Sequence, residues 1–235
     1  MNKEDIADKI LNIQVELSKD RFAKEKACDD AICLINELDE DYKKNAIRAM
    51  TVNALIDLER KEDYTSFIEA LVNDKNYHLQ LEGKQAEMRL LKNTGDSQKI
   101  LSGLDQIIEI AERNHDSETM ASMYLEKGQI LYHNNELMTA LECYEKGIGI
   151  AEESHNLCMV AAFNYYIALV LFDFNHWELG IEKLRESSEL AIEQSCIGIA
   201  KQSEIMRAYY MLERGDIESS KLILNSWVDN FKVLL

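Results

Sequence analysis

An all-α solenoid of antiparallel helix pairs is the fold class this sequence predicts, and three observations point to it. A set of small and apolar residues recurs every 40 positions, apolar side chains fall at helical spacing along the 235-residue chain, and proline is absent. A fixed period of that length means stacked supersecondary pieces that bury their apolar faces against one another. Spacing at i, i+3, i+4 and i+7 gives each helix one buried stripe, and without proline no helix loses a backbone donor.

Residues 1–47 fit the period poorly. Ile6, Ile10, Ile13 and Leu17 lie at helical spacing, as do Ala27, Ala31, Leu34 and Leu38, with Asp20 placed to cap the second helix. The segment is expected to be a degenerate N-terminal helical cap, since an end piece of a stack has a neighbour on one side only. The array itself is expected over 48–235, with repeats near 48–80, 81–120, 121–160, 161–200 and 201–235. In the first of these, Ala54, Leu55 and Leu58 belong to one helix, Asp63 starts a second, and Phe67, Leu71 and Val72 follow. This gives about twelve helices in one continuous run.

The repeat is clearest from Met88 to Trp227. Gly128, Leu131, Ala140, Tyr144 and Gly147 return as Ala168, Leu171, Gly180, Leu184 and Ser187, then as Ala208, Met211, Ser220, Leu224 and Trp227. Compact residues at the crossings let paired helices approach to roughly 8 to 10 Å, while Tyr144 and Leu184 fill the space beside them. Gly95-Asp96, Asn135-Glu136, Asn175-His176 and Gly215-Asp216 share one position. Gly or Asn suits the left-handed residue that ends a helix, so each pair should close on a very short turn.

Composition narrows the function. A net charge of −17 without clustered Lys and Arg argues against nucleic acid. No apolar run reaches the 18 or so residues of a membrane helix, and the start MNKEDIADK lacks a signal-peptide layout, so a cytoplasmic protein is expected. Five cysteines, at 28, 33, 143, 158 and 196, have no framework spacing and read as small core residues in a reducing compartment. His155 and Cys158 form an HxxC pair without a matching partner motif, so they read as loop residues and no metal is expected. No phosphate-cradling loop, calcium loop or nucleophile signature is present. The expectation is a non-enzymatic protein with no catalytic residues and no cofactor.

At Gly128, Leu131, Ala140, Tyr144 and Gly147, the stretch YLEKGQILYHNNELMTALECYEKGIGIA resembles the tetratricopeptide repeat family. Two departures stand out: the repeats are 40 residues long, and the proline that usually ends each one is missing. The resemblance implies a right-handed superhelix whose first helices line a concave groove for a peptide or protein segment. By position, Gln85, Arg89, Lys92, Gln129, Tyr132, Tyr165, Leu169, Phe172 and Tyr209 would face that groove, polar and basic at one end, aromatic at the other. Tyr165 and Phe172 can equally be core side chains. The chaperone clamp of the family needs Lys and Asn where this chain has Gln85, Leu125 and Tyr165, so that role is not expected.

The implied function is an interaction scaffold or adaptor. The alternative is a peptide-responsive sensor, like the bacterial tetratricopeptide regulators but lacking their DNA-binding domain. Residues 216–235 carry more apolar side chains than one inward stripe needs. A homodimer through Ile223, Trp227 and Leu234 would cover them.

Overall fold

A computed structural model describes residues 3–231, with side chains described for residues 5–227. Among the described residues the chain forms twelve α-helices and no strand, as the sequence predicts. It divides into two compact units, Met1–Ile110 and Ala111–Leu235.

The first unit contains α1 (Lys3–Leu17), α2 (Arg21–Glu37), α3 (Asp41–Asp57), α4 (Lys61–Val72) and α5 (Tyr77–Lys92). The next helix, α6 (Ser97–Arg113), contains the division between the units. Asp20 caps α2 as expected, its Oδ1 accepting from the Ala23 N–H at 3.0 Å. Ala27, Ala31, Leu34, Ile47, Leu55, Phe67 and Leu71 make a single buried cluster, with Ile6, Ile10 and Leu17 of α1 packed against it. Two element boundaries differ from the sequence reading. The helix holding Ala54 and Leu55 begins at Asp41 and so runs through residue 47. Its successor begins at Lys61, where a left-handed Glu59 (φ 59°) has already turned the chain; Asp63 sits inside the first turn and binds Arg60 Nε at 2.6 Å.

The second unit contains α7 (Ser117–His133), α8 (Leu137–Glu153), α9 (Leu157–Asp173), α10 (Trp177–Glu193), α11 (Ile197–Glu213) and α12 (Ile217–Phe231). Each helix starts 20 residues after the last, because every connection is the same three-residue turn. Its middle residue is left-handed at His115, Asn135, His155, Asn175, Ser195 and Gly215. The following N–H reaches back five residues, as from Glu136 to Leu131 O at 2.8 Å and from Cys196 to Ala191 O at 2.7 Å. These are Schellman closures. The turns expected within each pair are therefore joined by identical turns between pairs.

This uniform stagger brings compact residues opposite rings. A Cβ on Gly128 would run into Tyr144, one on Gly147 into Phe163, and one on Gly180 into Phe172. Ala140, Ala168 and Ala208 are buried in the same way. Successive helices pack along the whole unit, and α9 also touches both α7 and α11. Among the described residues, α8, α10 and α12 make no comparable approach to one another. The α7, α9 and α11 side is therefore the inner, more crowded side of this unit.

Candidate functional site

On that side, a cavity of about 430 Å³ opens between α7, α9 and α11. Leu125 and Gln129 of α7 form one wall, and Ile199 and Gln202 of α11 the opposite one. Between them α9 contributes Cys158, Met159, Ala162, Tyr165 and Tyr166, with its N-cap Asn156 at the edge. Residues four apart on one helix face the same way, which is why Leu125 pairs with Gln129 and Ala162 with Tyr166. The lining is apolar with amide and phenol groups at its rim and carries no charged side chain.

The tyrosines here stay neutral. Burial pushes the hydroxyls of Tyr165 and Tyr166 upward. For Tyr132, burial acts together with a hydrogen bond donated to Asp173, which ties α7 to α9. Burial raises Tyr210 to about 12. A neutral aromatic wall suits apolar side chains and peptide amides better than ions.

Beyond the cavity, α11 turns Ile205, Tyr209 and Leu212 outward on one stripe, with Tyr209 50% exposed. An exposed run of large apolar side chains next to a cavity is unusual for a surface that meets only water.

The groove residues expected from sequence therefore divide. Gln129 and Tyr165 line the cavity; Leu169, one turn beyond Tyr165 on α9, is half-buried. Tyr132 is half-buried in its bond to Asp173, and Tyr209 is exposed. Phe172 is a correction: only 4% exposed, its ring stacks on Tyr210 with centroids 3.4 Å apart and meets Trp177 edge-on at 5.8 Å. Its position one turn further along α9 turns it into the seam with α10, where Gly180 makes room for it. In the first unit, Gln85 and Lys92 are exposed on α5, and Arg89 is committed to α3, donating to Asn53 Oδ1 at 3.2 Å and pairing with Asp57.

The expected dimer residues are also redistributed. Ile223 is 7% exposed, and Trp227 packs on the cluster of Ala161, Ala191 and Ala200, so both face their own unit. Leu222 (73% exposed), Leu224 and Ile217 point outward instead. Leu234 lies outside the described residues.

The cysteines depart from expectation. Cys28 and Cys143 are buried core residues and Cys33 is exposed, but Cys158 and Cys196 are joined by a disulfide with Cα atoms 6.1 Å apart. With its sulfur so engaged, Cys158 has no thiol to offer a metal beside His155, which occupies a left-handed turn position on the surface. Among the described residues no three His, Cys, Asp or Glu side chains converge as metal ligands, and no helix is long and apolar enough to cross a membrane. Sequence reading missed Cys158, Met159, Tyr166 and Ile199 as cavity residues. The signal was present: all lie in the first turns of α9 and α11, or two turns in, facing α7 at the repeat spacing.

Comparison with known structures agrees with this architecture. The crystal structure of a Signal Transduction ATPase with Numerous Domains (STAND) protein with a tetratricopeptide repeat sensor, from Pyrococcus horikoshii, matches 98% of this chain. The TM-score is 0.78 at 13% identity, and this chain spans 36% of that one. BtubC (BKLC) from P. vanneervenii matches 94% of the chain, with 92% of its own length covered, a TM-score of 0.63 and 10% identity. The likeness is one of fold. No family model and no curated protein matches the sequence.

Proposed function

We propose that the chain is a non-enzymatic binding module that docks a peptide or protein segment on the α7, α9 and α11 side of its second unit. One observation carries this reading: a neutral cavity of about 430 Å³, rimmed by Gln129, Gln202 and Tyr165, beside the exposed Ile205, Tyr209 and Leu212 stripe. An apolar side chain of the segment fills the cavity, the Gln amides read its backbone, and the stripe covers the residues that follow. Arg89 is already paired within the first unit, so the reading rests on the second.

Affinity capture from the source cells tests it, comparing the chain with a Tyr165→Ala/Tyr209→Ala double variant. Removing two aromatic anchors should weaken a captured segment by about 2 kcal/mol or more, read by calorimetry on the purified pair. Equal capture by both proteins would overturn the assignment.

A second reading is that binding is sensory, the segment changing the conformation of the array. It is supported by the STAND protein, whose tetratricopeptide repeats are described as its sensor. Small-angle scattering separates the two: compaction on adding the segment favours a sensor, and an unchanged profile favours a scaffold. The outward Leu222, Leu224 and Ile217 of α12 are the surface on which a second copy of the chain would sit. Light scattering showing a monomer at micromolar concentration removes that dimer.

A further inference from the structure

We propose that Cys158 and Cys196 form a reversible thiol-disulfide site, whose co-substrate is a low-molecular-weight disulfide or thiol, and that their bond holds one side of the cavity closed. The position of the pair supports this first. Cys158 lies in the first turn of α9 and Cys196 is the N-cap of α11, so the bond joins the leading ends of two helices that form facing walls. Cys158 also lines the cavity, and both residues are half-buried, within reach of a small thiol. The Cα separation of 6.1 Å lies in the range that a disulfide spans without backbone movement.

The second support is a broken local rule. The N-caps of α7 and α9, at the positions 80 and 40 residues earlier, are Asp116 and Asn156. Their side chains accept from the Thr119 and Met159 N–H groups at 3.0 and 3.1 Å. At the same place α11 has a cysteine and no side-chain cap bond. A helix start that gives up a capping oxygen for a sulfur, opposite another cysteine, is using the position for sulfur chemistry.

The unpaired N–H groups and dipole of a helix N-terminus favour a thiolate. In the reduced protein the Cys196 thiolate attacks one sulfur of a small disulfide such as oxidised glutathione. The bond in that molecule breaks and one glutathione leaves as thiolate, taking a proton from water. Deprotonated Cys158 then attacks the Cys196 sulfur of the mixed disulfide, releasing the second glutathione. Two protein thiols are oxidised and one disulfide is reduced to two thiols. Excess small thiol runs the steps backwards.

Deeper in the seam between α9 and α11 lie only small side chains, Ala161 and Ala200, beside a buried Ser187–Ser203 hydrogen bond of 2.8 Å. Reduction therefore frees the first turn of α11 from that of α9 and loosens the cavity wall. This proposal is independent of the peptide reading, because its readouts are thiol chemistry and backbone exchange.

The test uses the full chain, either reduced with dithiothreitol or incubated with oxidised glutathione, then alkylated with iodoacetamide and mapped by mass spectrometry. After oxidation the peptides holding Cys158 and Cys196 should be cross-linked, while exposed Cys33 takes only a mixed disulfide. C158S should trap glutathione on Cys196. Amides of residues 157–160 and 197–200 should exchange about tenfold more slowly in the oxidised protein, and C158S and C196S should lose that response while keeping wild-type helicity by circular dichroism. Should the serine variants not fold, C158A and C196A serve in their place. Full alkylation of both cysteines after oxidation overturns the site, and a cross-link with unchanged exchange overturns its hold on the cavity.

Discussion

In the second unit six connections, from His115 to Gly215, repeat one turn at intervals of 20, and five of its helices are 17 residues long. In the first unit the helices run 15, 17, 17, 12 and 16 residues, and only Glu59 and Gly95 take the left-handed turn. The two regions are held together differently as a result. Where the turn is uniform, each helix meets the next at the same height, and a compact residue can face a ring every time: Gly128 against Tyr144, Gly147 against Phe163, Gly180 against Phe172. Where the turns vary, that match cannot recur, and polar bridges cross the seams. Arg60 links Asp29 and Asp63 at 2.6 Å each, Arg89 reaches from α5 to α3, and Asn45 holds Asp74. Steric matching supplies the regular region and directed polar contacts the irregular one.

The sharpest way to break this contrast is to fill one of the matched spaces. Gly147→Leu would drive a side chain into the Phe163 ring and should destabilise the second unit by about 3 kcal/mol, through overpacking. Urea unfolding reads it, and a loss below about 1 kcal/mol would mean that the ring has room to move. Tyr144→Phe acts in the other direction. Its hydroxyl is buried with no hydrogen-bond partner, so removing it should raise stability by about 1 kcal/mol in the same assay.

His155→Gly should gain about 0.5 to 1 kcal/mol by relieving a left-handed, non-glycine residue, whereas Asp39→Gly, at a first-unit connection without that geometry, should gain nothing. Thermal melts of the two variants side by side check the difference. The smallest effect is a pH dependence confined to the first unit. Asp74 accepts from the Asn76 N–H at 2.7 Å and from the Asn45 side chain, which holds its carboxyl below the ordinary range. Its contribution is then present above the unfolded value of about 3.9 and is lost as pH falls through the lower folded value. Melting temperature followed from about pH 5 to pH 3 should fall less steeply in Asp74→Asn than in the wild type.

Much of the fold was legible because it rests on spacing. Gly128, Ala140, Ala168 and Gly180 announce close helix crossings, and the Gly and Asn turn positions announce where pairs close. What stayed hidden were the connections between pairs. His115, His155 and Ser195 have no intrinsic liking for a left-handed turn, and only the tertiary register puts them there. The site was half legible for a related reason. A helical stripe tells which residues share a side, so Gln129 and Tyr165 were found, but Tyr165 and Phe172 are seven apart and both fit the stripe. Only packing against α10 separates the half-buried Tyr165 from the enclosed Phe172. The Cys158 and Cys196 pairing was invisible because 38 residues of intervening chain must fold before the two meet.

Because the turns within and between pairs are interchangeable, the chain of the second unit carries no mark of where one hairpin ends and the next begins. Gain or loss of a 20-residue cassette would keep every closure intact yet move all later helices to the opposite layer, setting outer-wall residues where the cavity belongs. Length can therefore change harmlessly only in steps of two helices. The turn that makes the array easy to extend also forbids it to grow by halves.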